Sequence, residues 1–286
     1  MKLTRTIAEC RKVRPDLAGP VGFVPTMGFL HEGHLSLVRM ARMACESVAV
    51  SIFVNPTQFA PSEDLSTYPR DLERDLELLE REGVDVVLAP ASNEDFYPPT
   101  HNTWIDVAGI AGKLEGASRP THFRGVATIV TKLFHVIKPD IAYFGQKDAQ
   151  QTLVIRQLIR DLNLDIRLAI GPIVREADGL AMSSRNTYLS PAERAAAPAL
   201  RRSLDLAEEL YARGERSAER LRHAMMEVLE AETLIQPEYV SIAALETLDE
   251  LASIEDRALV SLAARLGGTR LIDNTVLPPG ERLIEE

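Results

Sequence analysis

The sequence predicts an α/β protein, a doubly wound parallel sheet followed by a smaller α+β domain. Three observations carry this. Over residues 1–174, short apolar runs rich in β-branched residues alternate with amphipathic stretches at helical spacing. The apolar runs are continuous rather than alternating, as expected of strands covered on both faces. After Val174 the pattern changes to a Gly/Ser/Asn-containing loop, then helical stretches and short strand-like runs.

Taken in order, residues 21–27 (VGFVPTM) form an apolar run closed by Pro25 and Gly28. Residues 34–45 separate Leu35 and Val38 from Arg39 and Arg42, the two sides of a helix. Residues 47–54 (SVAVSIFV) read as a strand, 71–82 (DLERDLELLERE) as a surface helix and 84–89 (VDVVLA) as the next strand. Helices at 126–137 and 149–162 flank a strand at 141–144, with another strand at 166–174. Strand and helix in alternation require crossovers, hence a parallel, Rossmann-like sheet. Ser190-Pro191-Ala192-Glu193 is a helix start, with Ser190 as N-cap, Pro191 first and Glu193 closing a capping box. Helices at 191–213 and 217–232, broken near Gly214, and strand-like runs at 239–243, 258–263 and 270–272 complete a second domain over 175–286.

With 286 residues, 45% hydrophobic and 26% charged, the chain has ample material for a real core, which excludes disorder and a disulfide-dependent mini-scaffold. A net charge of −10 argues against an electropositive face for nucleic acid. Cys10 and Cys45 lie in helical stretches without a CxxC or a neighbouring His, as expected of two reduced thiols. No signal-peptide core or membrane-spanning run is legible, so a cytoplasmic protein without membrane partners is expected.

Four segments could carry chemistry. Residues 25–34 (PTMGFLHEGH) lie between a strand and a helix, where free N–H groups and the helix dipole suit phosphate. Gly28 and Gly33 permit tight backbone turns. His31 and His34, three apart, would share a helix face and donate to phosphate oxygens. Neither GxxxxGK[ST] nor GxGxxG is present. In FVNPTQF, Asn55 and Gln58 offer neutral amides to orient a polar substrate at the end of the next strand. In FGQKDAQQ, Lys147 could reach a polyphosphate, Asp148 falls in a first helical turn, and Gln151 follows one turn later. In MSSRN, two hydroxyls and the Arg185 guanidinium make an anion clamp at the domain junction. Singly, each segment also reads as an ordinary turn, solvated helix start or linker. Three of the four fall at carboxyl ends of strands, and that convergence favours a nucleoside triphosphate site.

Together, PTMGFLHEGHLSLV, FVNPTQF, YPRDLERD, THFRGV, FGQKDAQQ and READGLAMSSRN resemble the pantothenate synthetase family over residues 20–190. HxGH alone would indicate only the wider nucleotidyltransferase superfamily. The resemblance implies ATP-dependent condensation of (R)-pantoate with β-alanine through pantoyl adenylate, releasing pyrophosphate and then AMP. It implies an ATP loop of Met27, Gly28, Phe29, Leu30, His31, Glu32, Gly33 and His34, with His34 as proton donor. It adds an ATP-contacting segment of Gly145, Gln146, Lys147 and Asp148, a backbone contact from Val174 to adenine, and a second ATP loop of Met182, Ser183, Ser184 and Arg185. His31, His34, Lys147 and Arg185 form the implied catalytic set. Gln58 and Gln151 match the pantoate-binding glutamines, Gln58 also lying near β-alanine, and His122 resembles a site-lining residue. Mg2+ accompanying the nucleotide and a homodimer are implied as well.

Two departures stand out. Gln146 replaces a Glu frequent in the family, its side chain expected to point away from the site. Arg74 stands where some members are acidic, so no protein ligand to the metal is assigned. Three alternatives compete with the ligase. A nucleotidylyltransferase would not need paired substrate glutamines. A synthetase-like aminoacyl activator fits poorly with the acidic pI of about 5.2 and the lack of an anticodon-binding extension. A non-catalytic binding protein would not need to keep His31, His34, Lys147 and Arg185.

Overall fold

The computed structural model describes residues 1–61 and 63–284. The chain divides into two compact units, Met1–Gly145 with Gln150–Gly171, and Gln146–Ala149 with the residues from Pro172 onward.

In the first unit the elements run β1 (Lys2–Thr4), α1 (Ile7–Val13), β2 (Val21–Thr26), α2 (Glu32–Ala44), β3 (Ser47–Ile52), α3 (Leu72–Arg81) and β4 (Val86–Leu88). They continue with α4 (Glu115–Ser118), α5 (His122–Ile137), β5 (Ile141–Gly145), α6 (Ala149–Asp161) and β6 (Arg167–Gly171). The strands form one parallel sheet in the order β1-β4-β3-β2-β5-β6. The order reverses at β2: β3 and β4 continue to one side, β5 and β6 to the other. The reversal falls between β2 and β5, the kind of position at which open parallel sheets bind ligands. All six residues of β2 pair with β3, from Val21 with Ser47 to Thr26 with Ile52.

Both faces of this sheet are covered, which explains the continuous apolar runs. Phe23, Ala49, Val86, Leu88, Ala142 and Phe144 share one core with Cys10 of α1, with α5, and with Ile155 and Leu158 of α6. The intervening residues Val24, Val48, Val50, Val87, Ile141 and Tyr143 point the other way, onto α2 and Leu79 of α3. Alternation along a strand thus distributes one apolar run between two cores.

The second unit contains α7 (Pro191–Ala196), α8 (Ala199–Ala212), α9 (Ala218–Glu230) and the antiparallel sheet β7 (Ile235–Ala244), β8 (Ala258–Leu266) and β9 (Thr269–Leu277). Leu200, Leu204, Leu221 and Met225 of the helices pack on Val260, Leu262 and Leu271 of the sheet. Ser190 caps α7 reciprocally with Glu193, as the sequence predicts. The helix expected over 191–213 is two helices. Pro198, which has no N–H to donate and crowds the preceding turn, stands between them at the N-cap of α8. The final strands are longer than expected: β7 starts at Ile235, and β9 spans nine residues rather than 270–272. The strand expected to reach Val174 ends at Gly171, and β1 has no counterpart in the sequence reading.

Candidate functional site

In the first unit the loop after β2 is folded by a carboxylate from another helix. Gly28 has φ +83 and Phe29 φ +50, so the chain passes through two successive left-handed residues. Asp75 of α3 holds this shape, its two oxygens accepting the N–H groups of Phe29 and Leu30, both at 2.7 Å. The carboxylate is buried; desolvation pushes its pKa up against the opposing pull of those two N–H bonds. Sequence context does not single out Asp75 for this task, because its partners lie some 45 residues upstream.

The loop delivers the chain to α2, where both histidines take capping positions. His31 is the N-cap, its Nδ1 accepting from Gly33 N–H at 3.1 Å. His34 is the third helical residue, its Nδ1 accepting from His31 N–H at 3.3 Å. The ring centroids are 4.1 Å apart. An imidazole whose Nδ1 accepts carries its neutral-form proton on Nε2. Both rings therefore have an Nε2–H donor, beside the positive end of the helix dipole.

Past β3, Asn55 caps the one-turn 3-10 helix Pro56–Gln58. Its Nδ2 donates to Gln58 Oε1 and to Gly125 O, both at 3.1 Å, while its Oδ1 accepts from the Thr57 hydroxyl at 2.9 Å. Asn55 is thus buried and engaged within the protein. It fixes the amide of Gln58 with Oε1 as acceptor, which leaves Nε2 as the donor, here 3.2 Å from Met27 Sδ. The carbonyl of Gln58 accepts from His122 Nδ1 at 2.9 Å and from Arg119 at 3.3 Å, and Arg119 also pairs with Glu63. Burial, reinforced by Arg119, brings the His122 pKa down to about 4, so the ring is neutral with its proton on Nδ1. At Gly125 the first turn of α5 meets this turn so closely that a Cβ would lie 2.4 Å from Thr57 O. Arg119, Glu63 and Gly125 had no role in the sequence reading; only their partners reveal one.

The two glutamines opening α6 differ. Gln150 is buried and tied to Glu115 N, Ile110 O and Lys113 O. Gln151, the expected substrate residue, is half-buried in the same turn. A cavity of about 790 Å³ in this unit, within the size range of small-molecule sites, is lined by Met27, Gly28, Phe53, Phe59, Arg70 and Asp75 among others. Of the expected ATP residues it includes Met27 and Gly28.

In the second unit Lys147 lies in the 3-10 turn Gln146–Asp148, its Nζ 3.5 Å from Asp148 Oδ1. Gln146 Nε2 donates to Asn274 Oδ1 at 3.4 Å. Val174 opens a hairpin: its carbonyl accepts from Met182 N–H at 3.0 Å, and Glu176 N–H donates to Leu180 O at 2.8 Å. After the hairpin, Ser183 accepts from Arg185 N–H at 3.2 Å and caps the 3-10 helix Ser184–Tyr188, with Ser184 buried. The segment read as a loop is therefore a capped helical turn. Among the described residues no group of three His, Cys, Asp or Glu could hold a metal ion, and no helix is long and apolar enough to cross a membrane.

The family model for pantoate-beta-alanine ligase matches residues 2–276. A Roseiflexus castenholzii protein named pantothenate synthetase is 60% identical over 277 residues, covering 97% of this chain and 99% of its own. One of the same name from Thermotoga petrophila is 52% identical over 280 residues, 97% of this chain and 100% of that one. The crystal structure of pantothenate synthetase from Thermus thermophilus matches with a TM-score of 0.92 at 46% identity, covering 96% of this chain and 98% of that one. Pantoate-beta-alanine ligase from Francisella tularensis, complexed with beta-gamma ATP and beta-alanine, matches with a TM-score of 0.79 at 35% identity, covering 96% and 97%.

Proposed function

The chain belongs to the pantoate–β-alanine ligase family, and from that membership we propose which of its residues carry the ATP-dependent joining of pantoate to β-alanine. A pantoate carboxylate oxygen attacks the α-phosphorus of ATP, an acyl–phosphate bond forms, and pyrophosphate departs. The β-alanine amine then attacks the acyl carbon, loses a proton, and displaces AMP. Activation is needed because a free carboxylate has no good leaving group, whereas AMP leaves as a stabilised phosphate.

The observation that carries the reading is the pair of rings at the start of α2. With each Nδ1 bound to a backbone N–H, the Nε2–H groups of His31 and His34 donate to phosphate oxygens as charge builds there. Their role is electrostatic: each neutral ring shares its Nε2 proton in a hydrogen bond and keeps it, since giving it up would leave an imidazolate, so the proton-donor role expected of His34 becomes that of a hydrogen-bond donor. Residues 27–34, Gly145, Gln146, Lys147, Asp148, Val174, Met182, Ser183, Ser184 and Arg185 contact the nucleotide, with Lys147 and Arg185 as cations toward phosphate. Gln58 and Gln151 bind pantoate. Asn55 acts by fixing Gln58, and His122 by holding the carbonyl of Gln58. Support for these assignments comes from the family motifs and, within each unit, from the bonds described above.

Mg2+ would accompany the nucleotide and neutralise phosphate charge. Among the described residues no group of donors forms a cage for it: both oxygens of Asp75 accept backbone N–H groups, and its neighbour is Arg74. The family resemblance further supports a homodimer in the cytoplasm.

ATP–pyrophosphate exchange tests the reading. Exchange is expected with pantoate alone, and AMP with pantothenate once β-alanine is added; ADP formation would overturn it. His34→Ala and Lys147→Ala should each slow exchange by at least ~10²-fold, the scale for removing an oriented charge stabiliser. Near-normal exchange in both variants would defeat the assigned roles.

A further inference from the structure

A polar run, Asp273-Asn274-Thr275, separates Ile272 from Val276 in β9, and its first pair, Asp273-Asn274, is buried, at 2% and 3% exposure. Buried polar groups cost stability unless fully hydrogen-bonded, so what these two bind defines their purpose. Successive strand residues face opposite sides, and the pair uses both. Asp273 takes the guanidinium of Arg175 in a two-pronged ion pair at 2.7 and 3.0 Å, and Arg175 also donates to Gly179 O at 3.0 Å across its own hairpin. Asn274 turns its Nδ2 to the carbonyls of Gln146 and Lys147, both at 3.0 Å, while its Oδ1 accepts from Gln146 Nε2. One side-chain amide in β9 thus binds two consecutive carbonyls of the turn that carries Lys147, more than 120 residues earlier in the chain.

We propose that Asn274 is a positioning residue for the activation step, fixing the backbone of the Gln146–Asp148 turn so that Lys147 reaches its working place. The inference rests on the proposed role of Lys147 and goes beyond it by naming what aims that lysine. The chemistry of the contact is specific. Two carbonyl oxygens need two N–H donors from one compact group, which an asparagine amide supplies and an aspartate of equal size does not. The alternative is a purely structural role, in which Asn274 contributes stability to the second unit and nothing to the placement of Lys147.

The two are separated by a double-substitution cycle on the full chain. Asn274→Ala should lower the kcat of pantoate-dependent exchange by about 10²-fold, the scale for misplacing a reacting group by an ångström. The pantoate KM should stay within about twofold of wild type, since a structural collapse would move both constants. In a Lys147→Ala background the same substitution should cost little more, because its target is already gone. Asn274→Ser keeps one donor and should fall between, read below the unfolding midpoint found by circular dichroism; it decides the matter if the alanine variant does not fold. Losses that multiply in the double variant would overturn the proposal, as would wild-type exchange in both Asn274 variants. Should Lys147→Ala itself retain exchange, the reading of Lys147 fails, which is a different outcome from a normal Asn274 variant beside a disabled Lys147 variant.

Discussion

Replacing Gly125 with alanine would set a methyl carbon 2.4 Å from Thr57 O, 2.6 Å from its carbonyl carbon and 2.7 Å from Gln58 N. All three atoms are backbone, so no side chain can swing aside. Ordinary contact begins near 3.4 Å, so the Pro56–Gln58 turn and α5 must separate by about 1 Å, enough to cost about 10²-fold where a bound group is misplaced. Helix propensity argues the other way, since alanine in place of glycine stabilises a helix by about 1 kcal/mol. Overpacking costs roughly 1–3 kcal/mol and, against backbone, falls at the upper end, so the clash wins. Separation would also stretch the 3.1 Å bond from Asn55 Nδ2 to Gly125 O, and with it the hold on Gln58. The expected result is a thermal midpoint lower by several degrees and a raised pantoate KM in the exchange assay, with the ATP KM changed least. Gly112→Ala is the control, because nothing lies within 4 Å of its Cβ position; it should melt and react like the parent. A Gly125→Ala protein with the parent's midpoint and pantoate KM would refute the reasoning.

Two further expectations follow from buried ionisable groups. His122 keeps its neutral form down to a pKa of about 4, while in the unfolded chain it protonates near 6.5. The unfolded state therefore binds the extra proton between these values, and stability falls as pH drops through that window, by on the order of 2–3 kcal/mol. His122→Gln, which can still donate to Gln58 O, should flatten that part of the urea-unfolding profile; an identical slope in both proteins would exclude His122 as its source. Asp75→Asn would turn an amide N–H toward a loop N–H where a carboxylate oxygen now accepts. It should destabilise by about 1–3 kcal/mol and raise the ATP KM, and an unchanged urea midpoint with unchanged exchange would contradict the anchoring role.

Much of this was legible in the sequence because its causes are local. Continuous apolar runs identified strands covered on both faces, and Ser190-Pro191 with Glu193 marked the start of α7. HxGH between strand and helix placed both histidines at a helix start, where His31 and His34 indeed cap α2. Each of these depends on residues within about a turn of one another, whose spacing alone dictates which groups can meet.

Other features were decided only when distant segments came together. Of the adjacent glutamines, Gln150 is bound into the 110–115 segment, a distinction that their shared local sequence cannot make. Asp75 folds a loop 45 residues away, Gly125 admits the Gln58 turn at a separation of 70 residues from Asn55, and Asn274 holds a turn 128 residues upstream. The physical reason is common to all three. A hydrogen bond or a close backbone approach constrains only the two surfaces that meet, so it imposes no periodicity on the chain between them. Propensity and patterning determined the elements; the pairing of their ends was settled by packing.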